Sequence, residues 1–100
     1  MAKFLIKWSI NPSVPPQTDA MERLNGNKAL LGFVLKDLEE GKLIDWGAYP
    51  SGRGGYCIAE GEASDILMVL NKYMPWAIFE PNAIMTAKEL GQTFDKMASA

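Results

Sequence analysis

The strongest constraint on the fold is a glycine-rich turn between two strand-like runs in the middle of the chain. Residues 43–49 and 56–60 are rich in β-branched and aromatic side chains, which favour strands. The segment between them reads PSGRGG, a cluster of turn-forming residues. This pattern predicts a β-hairpin, and therefore two neighbouring antiparallel strands around which the remaining elements must pack.

The first forty residues predict a strand followed by a helix. Residues 3–10 alternate between two sets of side chains with a period of two, which indicates a strand, and three prolines within residues 11–17 end it. Asp19 can cap a helix that Gly41 stops. The segment Asn25-Gly26-Asn27 allows either one continuous helix or a break between a short and a long helical piece. Gly32 inside the helix favours close packing on a sheet. The apolar stripe of this helix is predicted to comprise Leu24, Leu31, Val34, Leu35 and Leu38.

The last forty residues predict a helix, a strand and a further helix. Ser64 or Asp65 opens the helix and Pro75 ends it. Residues 77–85 are mostly apolar and contain Pro81, which is typical of an edge strand or a bulge. A Thr86–Glu89 capping box then predicts a short C-terminal helix.

The order of these elements is that of the α+β, ferredoxin-like βαββαβ fold with an extra C-terminal helix. We expect residues 1–100 to form one domain, with a four-stranded antiparallel sheet and both main helices on one face. The other face would then expose apolar residues such as Leu5, Tyr56 and Ile58. Pairing with a second copy would cover that face and close an α/β barrel around a cavity, so we expect a homodimer.

Composition narrows the possible chemistry. The 100 residues contain no histidine, which excludes histidine-based catalysis and removes the commonest metal ligand, and we expect neither a metal nor a bound cofactor. A net charge of -2 with scattered basic residues argues against nucleic acid as a partner. No apolar run is long enough to span a membrane. The lone Cys57 predicts an inert buried thiol and suits the cytoplasm.

Several segments together resemble the dimeric α/β-barrel superfamily, in particular small proteins like muconolactone isomerase. They are KFLIKWSI, LEEGK, LIDWGAYP, GGYCIAEGE, ASDILMVLNKYMP and IFEP, which span nearly the whole chain. The resemblance implies a homodimer with an open cleft, in a superfamily that includes isomerases, cofactor-independent monooxygenases and haem-degrading enzymes. The chain departs from it in two places, since it has no histidine for a haem and has KYMPW where muconolactone isomerases carry a leucine-proline-leucine segment.

Strand parity predicts which side chains enter the cleft. The large apolar residues of the first strand are expected to face the helices, which leaves Lys7 on the open face. Asp45, Tyr49, Tyr56 and Glu60 are expected on the same face. A shift of one residue would move all of these side chains to the other face.

These residues suggest two alternative functions. Glu60, at the end of a central strand beside apolar walls, is the candidate catalytic base, although it could simply start an exposed turn. Lys7 could bind a substrate anion, and Asp45, Tyr49 and Tyr56 could orient an aromatic ligand. The first hypothesis is therefore a homodimer that binds a small hydrophobic or aromatic molecule, as an isomerase or cofactor-independent oxygenase. The second is a non-catalytic ligand-binding or structural homodimer.

Overall fold

The structure, a computed structural model, describes residues 2–13 and 19–99 of the chain. The last residues of the proline-containing segment predicted to end the first strand lie outside these ranges. The elements in chain order are β1 Ala2–Ile10, α1 Ala20–Glu39, β2 Asp45–Ala48, β3 Gly54–Gly61, α2 Ala63–Asn71, β4 Ala77–Ile84 and α3 Ala87–Ser99.

The four strands form one antiparallel sheet in the order β2-β3-β1-β4. The strands β2 and β3 are the two arms of the predicted hairpin, and Tyr49 N–H donates to the Gly54 carbonyl at 2.8 Å where the arms leave the turn. Strands β1 and β3 occupy the centre of the sheet. The α+β, ferredoxin-like architecture with an additional C-terminal helix is thereby confirmed.

One face of the sheet packs against α1 and α2 and forms the core. Ile6 lies directly opposite Cys57 in the β1–β3 pairing, and both are almost completely buried. Val34 of α1 and Ile66 and Leu70 of α2 belong to the same buried cluster. The prediction that Cys57 is buried is confirmed, and its burial raises the thiol pKa to about 11.

A buried carboxylate joins the ends of the two helices. Asp37, in the last turn of α1, is 1% exposed and accepts a hydrogen bond from the Tyr73 hydroxyl at 2.6 Å. The Lys72 ammonium forms an ion pair with the same carboxylate. The hydrogen bond and burial both raise the pKa of Tyr73, with burial the larger cause. This arrangement, which we call the Asp37 cluster, fixes α1 relative to the segment after α2.

The helix boundaries and faces differ from the predictions in a few places. Helix α1 is continuous through Gly26, and a Cβ added at Gly32 would meet nothing within 4 Å, so the predicted close packing of Gly32 is wrong. Helix α2 begins at Ala63 rather than at Ser64 or Asp65, because Asp65 acts from inside the first turn and accepts from the Glu62 N–H at 3.2 Å. Of the predicted α1 stripe, only Val34 is buried.

Helix α3 begins at its predicted cap but does not join the core. Thr86 N–H donates to Glu89 Oε1 at 3.2 Å, and Glu89 N–H donates to Thr86 Oγ1 at 3.1 Å, which confirms the capping box. No residue of α3 is buried. In the part of the chain that the structure describes, no helix is both long and apolar enough to cross a membrane.

Candidate functional site

The second face of the sheet, which we call the open face, is the one that the core does not use. The pairing registers place on it alternate residues of all four strands, beginning with the side of β1 opposite Ile6. Its members with polar or large apolar side chains are Lys3, Leu5, Lys7, Ser9, Asp45, Tyr49, Tyr56, Ile58, Glu60, Ile78, Glu80, Asn82 and Ile84. All five sequence-predicted site residues therefore share one face, and it is the face that parity predicts.

Two of the predicted residues form a pair. The Tyr56 hydroxyl donates a hydrogen bond to Asp45 Oδ2 at 2.8 Å, across from β3 to β2. This hydrogen bond, followed by smaller contributions from burial and from the Asp45 charge, raises the pKa of Tyr56. The phenol therefore stays protonated at neutral pH and acts as a donor, and Asp45 holds its ring toward the β2 edge.

A glycine in β2 makes room for the Tyr56 ring. Gly47 lies directly opposite Tyr56 in the β2–β3 pairing, and a Cβ added to Gly47 would overlap the aromatic ring. The ring therefore lies across the backbone of β2, which only a residue without a side chain allows. Gly47 was missed as a site residue by sequence analysis, although a glycine inside a predicted strand is the signal for such a close approach.

A second glycine, Gly54, lies beside the Tyr49 ring, but it is the backbone of β1 and not that ring that leaves no room for a side chain there. A Cβ added at Gly54 would lie 3.6 Å from two carbons of the Tyr49 ring and 2.8 Å from the Trp8 carbonyl oxygen. The Tyr49 ring thus extends from the β2 side over Gly54, whose partner on β1 is Ser9. The two tyrosines lean in different directions, with Tyr56 over β2 and Tyr49 toward β1.

A hollow of about 250 Å³ opens beside the Tyr49 ring. We call it the Lys7 hollow, after the cation in its lining. Lys7 lies directly opposite Glu80 on β4, and directly paired residues on one face have Cβ atoms about 5 Å apart, so these two charged groups act on the same small volume. The full lining is Lys7, Trp8, Ser9, Tyr49, Gly55, Ile78, Phe79 and Glu80.

The Lys7 hollow combines one cation with apolar and aromatic walls. Lys7 supplies an ammonium group, Tyr49 an aromatic surface and Ile78 an aliphatic one. Glu80 adds a carboxylate opposite the lysine. Such a set can hold a small molecule with an apolar body and an anionic group, because the lysine compensates the charge and the walls exclude water from the rest.

Glu60, the predicted catalytic base, lies outside this hollow. It is exposed, its partner on β1 is Lys3, and it follows Tyr56 by four residues along β3. That spacing corresponds to about 13 Å along a strand. The structure therefore brings Lys7 and Tyr49 together, pairs Asp45 with Tyr56 beside them, and leaves Glu60 outside the hollow, on the Asp45 side of β3. The roles of these residues stay predictions.

Three further residues of the open face line the hollow. Ser9 follows Lys7 on β1, and Glu80, which the sequence leaves open between the cleft mouth and the interface, comes to the hollow with Ile78 because β4 pairs with β1. Among residues 2–13 and 19–99, no group of three or more Cys, Asp or Glu side chains is placed to hold a metal ion.

Comparison with known proteins adds no relative to this description. No protein-family model matches the chain, and a search of curated proteins gave no match. The fold and the open face therefore rest on the chain's own sequence and geometry.

Proposed function

We propose that this protein is a homodimer that binds a small hydrophobic or aromatic molecule carrying an anionic group, in a space enclosed between two open faces. The observation that carries the proposal is the Lys7 hollow, where a lysine, a tyrosine ring and an aliphatic wall surround about 250 Å³. This volume is slightly below the range of about 300–1,000 Å³ that is usual for ligand pockets, and a second copy would enlarge and close it.

The composition of the open face supports pairing with a second copy. Leu5 and Ile58 lie opposite each other at its centre, and neither is fully buried in one chain. Lysine–glutamate pairs lie on both sides of them, Lys7 with Glu80 and Lys3 with Glu60. A face that carries both signs of charge around an apolar centre is complementary to itself under a two-fold axis. The resemblance to dimeric α/β barrels supports the same arrangement.

The proposed ligand follows from the groups that meet in the hollow. A flat aromatic ring can stack on Tyr49, which is held over Gly54, and its carboxylate can reach the Lys7 ammonium. A neutral molecule of the same shape keeps the stacking but leaves the lysine unpaired. The protein is therefore expected to favour aromatic acids over the corresponding amides.

The test is the binding of benzoate and benzamide, measured by calorimetry and by the shift in melting temperature. Lys7→Gln removes the charge and keeps much of the side-chain length, so benzoate affinity should fall about tenfold or more while benzamide affinity changes little. Lys3→Gln is the matched control, because it lies on the same strand and face but outside the hollow. Equal binding by wild type and Lys7→Gln, or equal losses in both variants, would contradict the proposal.

A second candidate function is proton transfer on the bound molecule, as in an isomerase. Glu80 favours it, since this carboxylate lines the hollow directly opposite Lys7, where a base and a cation are needed to remove a proton and stabilise the resulting anion. The measurement is exchange of the C–H protons beside the carbonyl of phenylpyruvate, an aromatic acid with such protons, with deuterated water above the rate without protein, followed by NMR. We expect Glu80→Gln to abolish the exchange while binding persists. Glu60→Gln, which changes the base predicted from the sequence, should leave the exchange unchanged. Exchange that survives in Glu80→Gln would exclude Glu80.

A further inference from the structure

Helix α3 carries an apolar stripe that its own chain does not cover. Leu90, Phe94 and Met97 follow one another at spacings of four and three residues, so they lie on one side of the helix. Their exposed fractions are 38%, 57% and 68%. The opposite side carries Lys88, Gln92 and Asp95. A helix of this pattern normally packs its apolar side against another element, and none of the elements that the structure describes covers it.

A groove of matching chemistry lies on the helix-covered side of the sheet. It has a volume of about 290 Å³ and runs between α2 and the outer strand β4. We call it the α2–β4 groove. Leu67 and Met74 line it and are 60% and 40% exposed, and Phe4 and Phe79 belong to its floor on the sheet. Every residue that lines this groove is apolar.

The α3 helix of the same chain does not reach this groove in the structure. The longest dimension of the molecule is 62 Å, against 25 and 23 Å in the other two directions. The strand β1 and the helix α1 are each at most about 30 Å long, so neither accounts for the 62 Å dimension by itself. The helix α3 is about 20 Å long and adds this length when it continues beyond the sheet. Only Met85 and Thr86 join α3 to β4, and the capping box holds Thr86 to the first turn of the helix.

We propose that the apolar stripe of α3 docks in the α2–β4 groove of a second copy. Each chain carries both the stripe and the groove, so the exchange is reciprocal and closes on a two-fold dimer. The α3 stripe would cover Leu67 and Met74, the exposed lining of the groove, with Leu90, Phe94 and Met97. Both halves of the contact are apolar, which makes burial of their surface the driving force.

The surface area that the α3 exchange buries limits how far this contact can stabilise a dimer. A helix about 20 Å long and about 10 Å wide covers roughly 200 Å² of a partner. Counting both surfaces and both helices, the exchange buries roughly 800 Å², which is below the about 1,200 Å² of a specific interface. The inference therefore rests on the proposed homodimer, in which the open faces supply the remaining area and the α3 exchange strengthens the pair.

Disulfide trapping between two single-cysteine additions tests the exchange. Phe94→Cys and a larger, tagged Leu67→Cys protein are mixed and oxidised, and a gel without reductant detects the mixed disulfide. Cys57 is buried, so it does not compete. A mixed product at least about tenfold more abundant than with Gln92→Cys, on the other side of α3, is expected. Absence of this product in a sample that sediments as a dimer overturns the α3 inference alone, whereas a monomeric sample contradicts the proposed homodimer.

A doubly substituted chain separates exchange from folding back. Phe94→Cys and Leu67→Cys in one protein should give dimers linked between chains. A monomer closed by an internal disulfide would overturn the proposal, since it would place α3 in its own groove. As a second measurement, Phe94→Glu should weaken the dimer at least about tenfold, and Gln92→Glu should change its dissociation constant by less than about twofold. Equal effects of the two glutamates would also overturn it.

Discussion

The two faces of this sheet use the same four strands for different purposes. On the covered face, Ile6, Cys57 and Ala59 are at most 2% exposed and contact the two helices. On the open face, their immediate neighbours Lys7 and Glu60 are exposed, and Tyr56 is half-buried beneath its hydrogen bond to Asp45. Neighbouring residues on one strand thus meet quite different surroundings.

The helix-covered side has the features that stabilise the fold, whereas the open face has the features of a binding surface. The helix-covered side buries a core made of its own side chains, apart from the α2–β4 groove, and the buried charge of Asp37 has two partners there. The open face instead has a glycine, Gly47, that makes room for the Tyr56 ring, and a lysine beside a hollow. Substitutions on the covered side should therefore change the free energy of unfolding, and those on the open face should change binding.

The largest effect is expected at the Asp37 cluster. Asp37→Ala leaves the buried Tyr73 hydroxyl without its acceptor and the partly exposed Lys72 ammonium without its ion pair, which together cost about 3 kcal/mol. Chemical denaturation would measure this loss. Glu39→Ala, an exposed position in the same helix turn, is the control and should change stability by less than about 0.5 kcal/mol. Similar losses in both variants would show that the cluster does not stabilise the fold.

Alkaline pH should weaken the covered side next. Burial raises the pKa of Cys57 to about 11, so the folded state keeps the proton while the unfolded thiol loses it above its ordinary value near 9. Stability is therefore full below about pH 9 and falls as pH rises to about 11, by about 2 kcal/mol. The raised pKa of Tyr73 extends the loss above about pH 10. Cys57→Ala should remove the fall in stability between about pH 9 and 10, before Tyr73 contributes, and an unchanged fall in that window would contradict its assignment to Cys57.

The same substitution on the two faces compares them directly. Tyr73→Phe removes the hydroxyl that donates to the buried Asp37 carboxylate and should cost about 1.5 kcal/mol. Tyr56→Phe removes an equivalent hydroxyl on the open face, where water can replace it at Asp45, and should cost less than about 0.5 kcal/mol. Thermal unfolding of both variants measures the difference. Equal costs would mean that the open face is as dry as the core.

Replacing glycine by alanine at two positions should change stability only modestly and should give the most specific change at the site. Gly47→Ala displaces the Tyr56 ring, lengthens its bond to Asp45 and returns the raised pKa of Tyr56 toward its ordinary value. Ultraviolet titration of tyrosine measures this change, with an expected stability cost of about 1 kcal/mol or less. Gly32→Ala is the control, since it has open space around it and should stabilise α1 by about 0.5–1 kcal/mol. An unchanged tyrosine titration in Gly47→Ala would contradict the described packing.

The fold could be predicted from the sequence because its signals are local. The alternation in β1, the turn cluster between β2 and β3, and the caps at Asp19 and Thr86 each depend on neighbouring residues. The sharing of one face by Lys7, Tyr56 and the other candidates followed from strand parity.

The remaining features depend on contacts that no local pattern encodes. Asp37 meets Tyr73 only because two helix ends converge across 36 residues of sequence. Glu80 reaches the Lys7 hollow through the pairing of the first and last strands. The apolar stripe of α3 correctly predicted a helix but not what packs against it. An amphipathic pattern shows that one side of a helix needs to be covered, but it does not identify the covering element.

Sedimentation equilibrium of wild-type protein and Ile58→Glu tests most directly whether a second copy covers the open face. Ile58 lies at the centre of that face, opposite Leu5, and a two-fold axis would bring two added carboxylates into the same apolar contact. At about 10 µM, wild type should have twice the mass of a single chain and Ile58→Glu the mass of one chain. A wild-type protein with the mass of one chain, or an Ile58→Glu variant that remains a dimer, would contradict the account.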